Sequence, residues 1–406
     1  MNRIQRLLLL LDGLSDRPHP ALKDRTPLQA AKLPVLDKLA REGLCGVADP
    51  LPNGEIATTV QGSLAVLGYK PEDLRISRGV IEALGCDAKL NGEDVALRGN
   101  WACLDANGFL KDRRAGRIRK NREELVGVLE NIREWNDNIV DVYLGTEHRT
   151  AIVLRGPGLS NRISGSDPGD HHPEHIPPRV PQPLDQKDPR SRKTAILLQR
   201  FEQSARTLLA DHPVNLERSK NGLFPANALI SREAGKLPDR LPDIKSPHLA
   251  GTIISGEKTL NGIARMIGMD FHTLPSMTGS LDTDLAAKFQ QTGEMLEKKD
   301  LVLLHIKGTD IASHNCDPEA KKNFLMRIDT ELGRFLEARD SQLRFAVTSD
   351  HCTSSITGTH LNDPVPVVLW GTGIEKDGVE GFDEKQLKQG GLGRFSLSGV
   401  WEKLMN

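Results

Sequence analysis

The stretch Leu343–Ser355 reads LRFAVTSDHCTSS. A mostly apolar, strand-like run stops abruptly, and a carboxylate and an imidazole stand side by side at Asp350 and His351. A continuous apolar run of this length suits a strand covered on both faces. In open α/β sheets, ligands bind beyond the carboxyl ends of such strands. The stretch therefore predicts a buried parallel strand that delivers two metal-competent side chains, against the plainer reading of a solvated loop entry.

The pattern recurs along the chain. RLLLLLD (6–12), LAGTIISG (249–256), LVLLHIKGTD (301–310) and PVPVVLW (364–370) predict further buried parallel strands. Between them lie helical patterns. Thr26-Pro27 is a start signal for a pattern that carries Leu36, Leu39 and Ala40 and ends at Gly43. Within 318–339, Phe324, Ile328, Leu332 and Phe335 recur at three- and four-residue spacing, which predicts an amphipathic helix. Strand–helix alternation implies an α/β core with a mostly parallel sheet and helices on both faces. Residues 89–185 read differently. VALRGNWACLD alternates with turns, VDVYLGTEHRTAIVLRG reads as a hairpin turning at Leu144-Gly145, and 167–189 is rich in Pro, His and Asp. This segment predicts a smaller α+β cap inserted into a core made of 1–88 and 186–406, with two chain crossings about which it can move.

Bulk properties exclude several classes. The chain has 406 residues, 38% hydrophobic and 27% charged, with a formal net charge of -1. That is globular composition, with no charge imbalance to suggest nucleic acid or a polybasic membrane contact. No apolar run approaches the roughly 20 residues that span a bilayer. RIQRLLLLLDG resembles a signal peptide superficially, but Asp12 follows at once and no small-residue cleavage site appears, so it reads as a strand. The five cysteines are scattered and form no CxxC pair, which argues for reduced thiols and a cytoplasmic setting. Only Cys352, beside His351, has a suggestive position. Self-association stays open.

Four predicted strands carry a metal-competent group at one end: Asp12 closes the first, Asp310 the 301–310 run with His314 following, Asp350-His351 the next, and His360 precedes the last. Each alone is ordinarily a cap or turn residue; the ordered set is not. Three Asp and three His supply mixed oxygen and nitrogen donors for two adjacent sites, suiting manganese or zinc better than calcium, with magnesium and cobalt as alternatives. Paired ions clamp the oxygens of phosphoryl transfer and activate a hydroxyl nucleophile. NGEIATTVQGSLAVLGY offers one, since Thr58-Thr59 precede a helix-like segment where backbone N–H groups can hold a phosphate. Spacing alone does not choose between that role and a helix cap at Thr58 with Thr59 exposed.

The motifs DGLSDRP, TPLQAAKLPVLDKLAREGLCG, LAVLGY, DRRAGRI, EHRTAIVLRG, SDPGDHH, HIKGTDIASH, SDHCT and GTHLNDPVPVVLWG appear in that order. They resemble the archaeal-type 2,3-bisphosphoglycerate-independent phosphoglycerate mutases of the alkaline phosphatase superfamily. The resemblance runs from Arg6 to the C-terminal GGLGRFSLSGVWEKL. It implies an alkaline-phosphatase-like core and phosphoryl transfer on a small phosphorylated metabolite, with two divalent ions and no 2,3-bisphosphoglycerate. By similarity, Asp12, Asp350 and His351 hold one ion, Asp310, His314 and His360 the other, and the nucleophile bridges or approaches them. Counting back from Tyr69 in LAVLGY places Thr59 where the family has a serine. The cap contacts implied are Arg114, Arg117, His148 and Arg149, with an acid–base pair among Asp167, His171 and His172. Two stretches depart from the pattern. Val60, Gln61, Gly62 and Ser63 replace a segment in which the family carries Asp and His, and SREAG (231–235) stands for a glycine-rich RGAG. Three readings follow: mutase, phosphatase or phosphotransferase on another small phosphorylated metabolite (homoserine-kinase-like, for example), and a non-catalytic metal-binding relative.

Overall fold

The computed structural model describes residues 4–70, 73, 76–169, 175–238, 249–339 and 342–406. The chain divides into two units: Met1–Arg75 with Asp243–Leu260 and Ile267–Asn406, and Ile76–Pro242 with Asn261–Met266.

Leucines at successive positions explain the centre of the first unit. In strand Gln5–Leu11, Leu7 through Leu11 are all fully buried, so both pleat faces are covered. Leu7, Leu9 and Leu11 join a core with Leu36 and Leu39 of helix Pro34–Glu42, Phe289 of helix Leu285–Leu296, and Ile328, Leu332 and Phe335 of helix Pro318–Glu337. On the opposite face Arg6 donates to the Met405 carbonyl at the end of helix Gly399–Met405. The sheet runs in the order Asp270–His272, Gly251–Ile254, Leu301–Ile306, Gln5–Leu11, Leu343–Thr348, Val365–Gly371, Leu44–Asp49, Gly393–Ser396.

Pairing is parallel except on both sides of Val365–Gly371, which runs antiparallel to Leu343–Thr348 and to Leu44–Asp49. This corrects the parallel assignment of PVPVVLW. A fully covered antiparallel strand is as uniformly apolar as a parallel one, so the run does not reveal its direction. The Thr26–Gly43 pattern is also two helices, not one. Pro27–Ala30 starts on a Thr26–Gln29 capping box, and Pro34 opens the second helix after a break.

The second unit is an antiparallel sheet of six strands built on Val95–Leu104, every residue of which is buried. That strand pairs with Arg149–Arg155 on one side and Ala228–Gly235 on the other, and Arg149–Arg155 pairs in turn with Asn138–Leu144. The unit is wider than the 89–185 segment read from the sequence. Helix Pro189–Ala210 buries Leu197, Leu198, Phe201 and Ala205 against Leu97, Trp101 and Ile152, and helix Arg78–Gly85 covers Ala96, Ala151 and Val153. The amphipathic pattern of those helices does not say which sheet they cover.

One buried ion pair fixes the loop after the first strand. Lys321 is fully buried and donates to Asp16 Oδ2 (3.0 Å) and to the carbonyls of Ser15 (3.3 Å) and Thr353 (3.1 Å). Lys321→Met strands the Asp16 carboxylate without its partner. It is expected to cost about 3–5 kcal/mol, read as a fall in the urea midpoint of the first unit; an unchanged midpoint would show that Asp16 does not depend on this ammonium.

Candidate metal centre

Strand direction gathers the predicted residues at one edge. Gln5–Leu11, Leu301–Ile306 and Leu343–Thr348 run parallel, so Asp12 and Asp350-His351, just past two of their ends, emerge together. Because Val365–Gly371 runs the other way, its start lies at that same edge, and His360 precedes it. Asp310 is not a strand end. The strand stops at Ile306, and Asp310 lies in the first turn of helix Gly308–His314, with His314 one turn on.

Asp12, Asp310, Asp350 and His351 are almost completely buried. Ligand atoms of Asp12, Asp350 and His351 lie within 4.8 Å of one another, as do those of Asp310, His351 and His360. His351 thus stands between the two groups. His314 is more exposed, with Nε2 3.3 Å from Asp310 Oδ1 and its ring centroid 5.3 Å from that of His360. Backbone N–H groups of Gly13 (3.2 Å) and His351 (3.0 Å) donate to Asp350 Oδ1, which turns Oδ2 toward His351 Nε2 at 3.2 Å. Asp12 Oδ1 lies 3.4 Å from the same nitrogen. Asp12 Oδ1 and Asp350 Oδ2 are buried and accept no hydrogen bond. Buried carboxylate oxygens are ordinarily satisfied, and these two face one shared imidazole nitrogen, His351 Nε2. The residues fit a cation.

The three imidazoles are oriented alike. His314 Nδ1 is 2.7 Å from the Gly358 carbonyl and His360 Nδ1 is 2.9 Å from the Ala57 carbonyl. Each Nδ1 therefore donates, and each Nε2 keeps a lone pair for the Asp310 side. His351 Nδ1 is 3.0 Å from Thr353 Oγ1. A remote acceptor that fixes the tautomer is the usual support of a metal-binding histidine.

Two neighbours were not singled out from the sequence. Lys307 Nζ donates to Asp12 Oδ2 and Asp310 Oδ2, both at 2.8 Å. Burial works against its charge, but those carboxylates hold its pKa above the ordinary lysine range. Burial would raise Asp310, yet Lys307 brings it down to about 2. His305 lies 3.1 Å from Asp12 Oδ2 and 2.9 Å from Ser255 Oγ. The order Ser–His–Asp resembles a hydrolase triad, but all three are fully buried, so Ser255 meets no substrate and the relay serves to orient Asp12. An ionisable residue inside the apolar run LVLLHIKG was the available signal for both.

Geometry distinguishes the two hydroxyls. Thr58 is the N-cap of helix Thr59–Val66, accepting from Gln61 N in a capping box with Gln61. Thr59 is buried, with Oγ1 3.3 Å from His351 Nε2. Gly62 allows this approach, since a Cβ there would stand 2.1 Å from the Asp350 carbonyl oxygen. Cys352 is buried, donates to the Ser15 carbonyl, and is pushed up to about 12 by burial, which makes it a packing residue and not a nucleophile.

In the second unit, Glu82 Oε1 faces Arg78 (3.2 Å), Arg149 (3.5 Å) and Arg98 (3.9 Å). Burial would raise this carboxyl, but Arg78, Arg149 and Arg98 bring it to about 2. Arg98 Nε and Asn100 Oδ1 are buried without a hydrogen-bond partner. Asp167 is engaged by Arg113 (2.6 Å), with Arg232 at 3.6 Å. His148 is buried, and that burial together with Arg149, Arg114, Arg98 and Arg117 pushes its pKa down to about 2, so it is a neutral imidazole at physiological pH. Of the expected cap contacts, Arg149 thus lies in an arginine cluster with Arg78 and Arg98, which were missed. Arg114 is exposed and Arg117 half-buried beside the Ala115–Arg117 turn. His171 and His172 fall outside the described residues. Glu233, at the departure from RGAG, is exposed with a φ of 59°, a conformation that favours glycine, and lies 3.8 Å from Arg232.

Two outcomes follow for the metal-free protein. Burial opposes protonation of His351, but Asp350, Asp12 and Asp310 hold its pKa up at about 9. The folded value exceeds the ordinary one of about 6.5. Its contribution to stability is therefore complete below about pH 6.5 and is lost as pH rises through about 9. A divalent ion must displace that proton, so between roughly pH 7 and pH 8.5 its affinity should climb about tenfold per unit; calorimetry in buffers of different ionisation enthalpy should show about one proton released. Gly13 has a φ of 62°, and a Cβ on it would stand 2.6 Å from Thr353 Oγ1 and 2.9 Å from Asp310 Oδ1. Gly13→Ala should cost more than about 1 kcal/mol and weaken divalent binding by equilibrium dialysis.

Comparison with known proteins gives a consistent picture. Residues 40–215 match the family described as 2,3-bisphosphoglycerate-independent phosphoglycerate mutase, and residues 170–390 the one described as type I phosphodiesterase / nucleotide pyrophosphatase. A curated 2,3-bisphosphoglycerate-independent phosphoglycerate mutase of Picrophilus torridus is 39% identical over 95% of this chain and 93% of its own. The solved cofactor-independent phosphoglycerate mutase of Thermoplasma acidophilum is 33% identical with a TM-score of 0.67, covering 100% of this chain and 99% of its own. A solved protein of Pyrococcus horikoshii is 29% identical with a TM-score of 0.83, covering 100% and 97%. With its two-unit fold, its carboxylate–imidazole centre and full-length identity of this order, the chain belongs to the family of 2,3-bisphosphoglycerate-independent phosphoglycerate mutases.

Proposed function

We propose that the protein interconverts 2-phosphoglycerate and 3-phosphoglycerate by passing the phosphoryl group through Thr59. The observation that carries this reading is the position of Thr59 Oγ1, 3.3 Å from His351 Nε2 at the carboxylate–imidazole cluster, while Thr58 is committed to the helix cap. Asp12, Asp350 and His351 would hold one divalent ion, and Asp310, His314 and His360 the other. Mixed oxygen and nitrogen donors favour manganese or zinc, with magnesium and cobalt as alternatives. When bound, such ions neutralise phosphoryl oxygens and make a hydroxyl a usable nucleophile.

The protein's own groups account for the rest. Thr59 Oγ gives up its proton and forms the new bond to phosphorus as the bond to the glycerate oxygen breaks, and that oxygen takes up a proton to leave as a hydroxyl. Return of the phosphoryl group to the other glycerate hydroxyl reverses that exchange, so no water enters and no 2,3-bisphosphoglycerate is needed. Lys307 holds Asp12 and Asp310 in place, and the His305–Ser255 relay orients Asp12. The arginine face of Arg78, Arg98 and Arg149 is the candidate for recognising the glycerate carboxylate, because planar guanidinium forks match carboxylate and Arg98 Nε, 3.9 Å from Glu82, makes no hydrogen bond. The five cysteines form no disulfide among the described residues, which accords with work in the cytoplasm.

Phosphorus NMR of metal-loaded protein with 3-phosphoglycerate tests the reading. Formation of 2-phosphoglycerate without inorganic phosphate, abolished in Thr59→Ala, is expected. Arg98→Met should raise KM for phosphoglycerate by about tenfold or more. Release of inorganic phosphate alone would favour a phosphatase, and bound metal without any turnover would favour a non-catalytic relative.

A further inference from the structure

One side chain outside the ligand set touches both Asp310 and His351. Thr353 is fully buried. Its Oγ1 donates to Asp310 Oδ1 at 2.9 Å and lies 3.0 Å from His351 Nδ1. A hydroxyl has one proton. Since that proton goes to the carboxylate, the hydroxyl oxygen must accept from His351 Nδ1–H, which makes Nε2, facing Asp12 and Asp350, the nitrogen that a cation would take. The same oxygen therefore sets the tautomer of His351, which is common to both groups, and the rotamer of Asp310, and in the ligand sets proposed above the two hold different ions.

The backbone of Thr353 is equally committed. Its N–H donates to the Ser15 carbonyl at 3.2 Å, its carbonyl accepts from buried Lys321 at 3.1 Å, and it pairs directly with His360 in the short Cys352–Thr353 and His360–Leu361 ladder. Gly13 closes over the hydroxyl, at a distance where a Cβ would stand 2.6 Å from Oγ1. The side chain has no second place to turn.

We propose that Thr353 is a positioning residue that locks the two halves of the metal centre together, so that occupancy of both cation sites depends on a single hydroxyl. The inference rests on the two-cation reading above. It assigns Thr353 no contact with the phosphoryl group. Its loss acts through His351 and Asp310, and so it weakens both ions.

The test is a manganese titration of the metal-free, full-length chain, with bound ion counted by equilibrium dialysis and elemental analysis. Wild type should bind two ions per chain. Thr353→Val, which keeps the shape and removes the hydroxyl, should lose affinity for both by about 10- to 100-fold, the range for ligand-supporting hydrogen bonds. Thr353→Ser, which restores the hydroxyl, should bind both within a few-fold of wild type. Nitrogen NMR of the histidine rings should show the His351 Nδ1 proton in wild type and Thr353→Ser. A wild type that does not bind two ions overturns the two-cation reading itself. A wild type that binds two, with Thr353→Val unchanged, or weakened at one ion only, or with Thr353→Ser as impaired as Thr353→Val, leaves that reading standing and overturns the role of Thr353.

Discussion

Three carboxylates withdrawn from water at one sheet edge set the terms for the rest of the first unit. Asp12, Asp310 and Asp350 are essentially fully buried, and Lys307 bridges only the first two. Asp12 Oδ1 and Asp350 Oδ2 share a single polar neighbour, His351 Nε2. Buried charge of one sign is costly unless it is paired, so the arrangement makes sense as a receptacle for cations. The supporting structure follows from that requirement. Backbone amides of Gly13 and His351 fix Asp350, His305 and Lys307 fix Asp12, Thr353 and Lys307 fix Asp310, and each imidazole is anchored through Nδ1. Asp12 and Asp350 each have one oxygen oriented by such contacts and one accepting no hydrogen bond, while both oxygens of Asp310 are engaged.

The second unit shows the opposite sign. Arg78, Arg98 and Arg149 converge on Glu82, and Arg113 and Arg232 on Asp167. Like charges are held close by these two carboxylates, and Arg98 Nε is buried without a hydrogen-bond acceptor.

Much of the centre was legible in the sequence because it follows from strand ends. Asp12 and Asp350-His351 terminate apolar runs, and that position is enough to place them at the ligand-binding edge. His360 was legible as a motif, but its reason for being there, the reversed Val365–Gly371 strand, was not, since a covered strand is apolar whichever way it runs. Asp310 was displaced into a helix because KGTDIASH is too short to show a helical period. Lys307 and His305 read as interruptions of a strand, not as parts of a site. The arginine face was hidden more deeply. Arg98 and Arg232 are far apart in the chain and become neighbours only through antiparallel pairing, where they stand opposite each other. The choice between Thr58 and Thr59 needed cap geometry, in which one hydroxyl is spent on Gln61 and its neighbour is turned inward.

The departure of the nucleophile segment from the family pattern makes Thr59 the residue on which the account depends. The direct measurement is to quench the metal-loaded protein during exposure to 3-phosphoglycerate and to locate covalent phosphate by tandem mass spectrometry. The account predicts phosphate on Thr59. Phosphate on Thr58 or Ser63, or turnover with no phosphorylated residue, would contradict it.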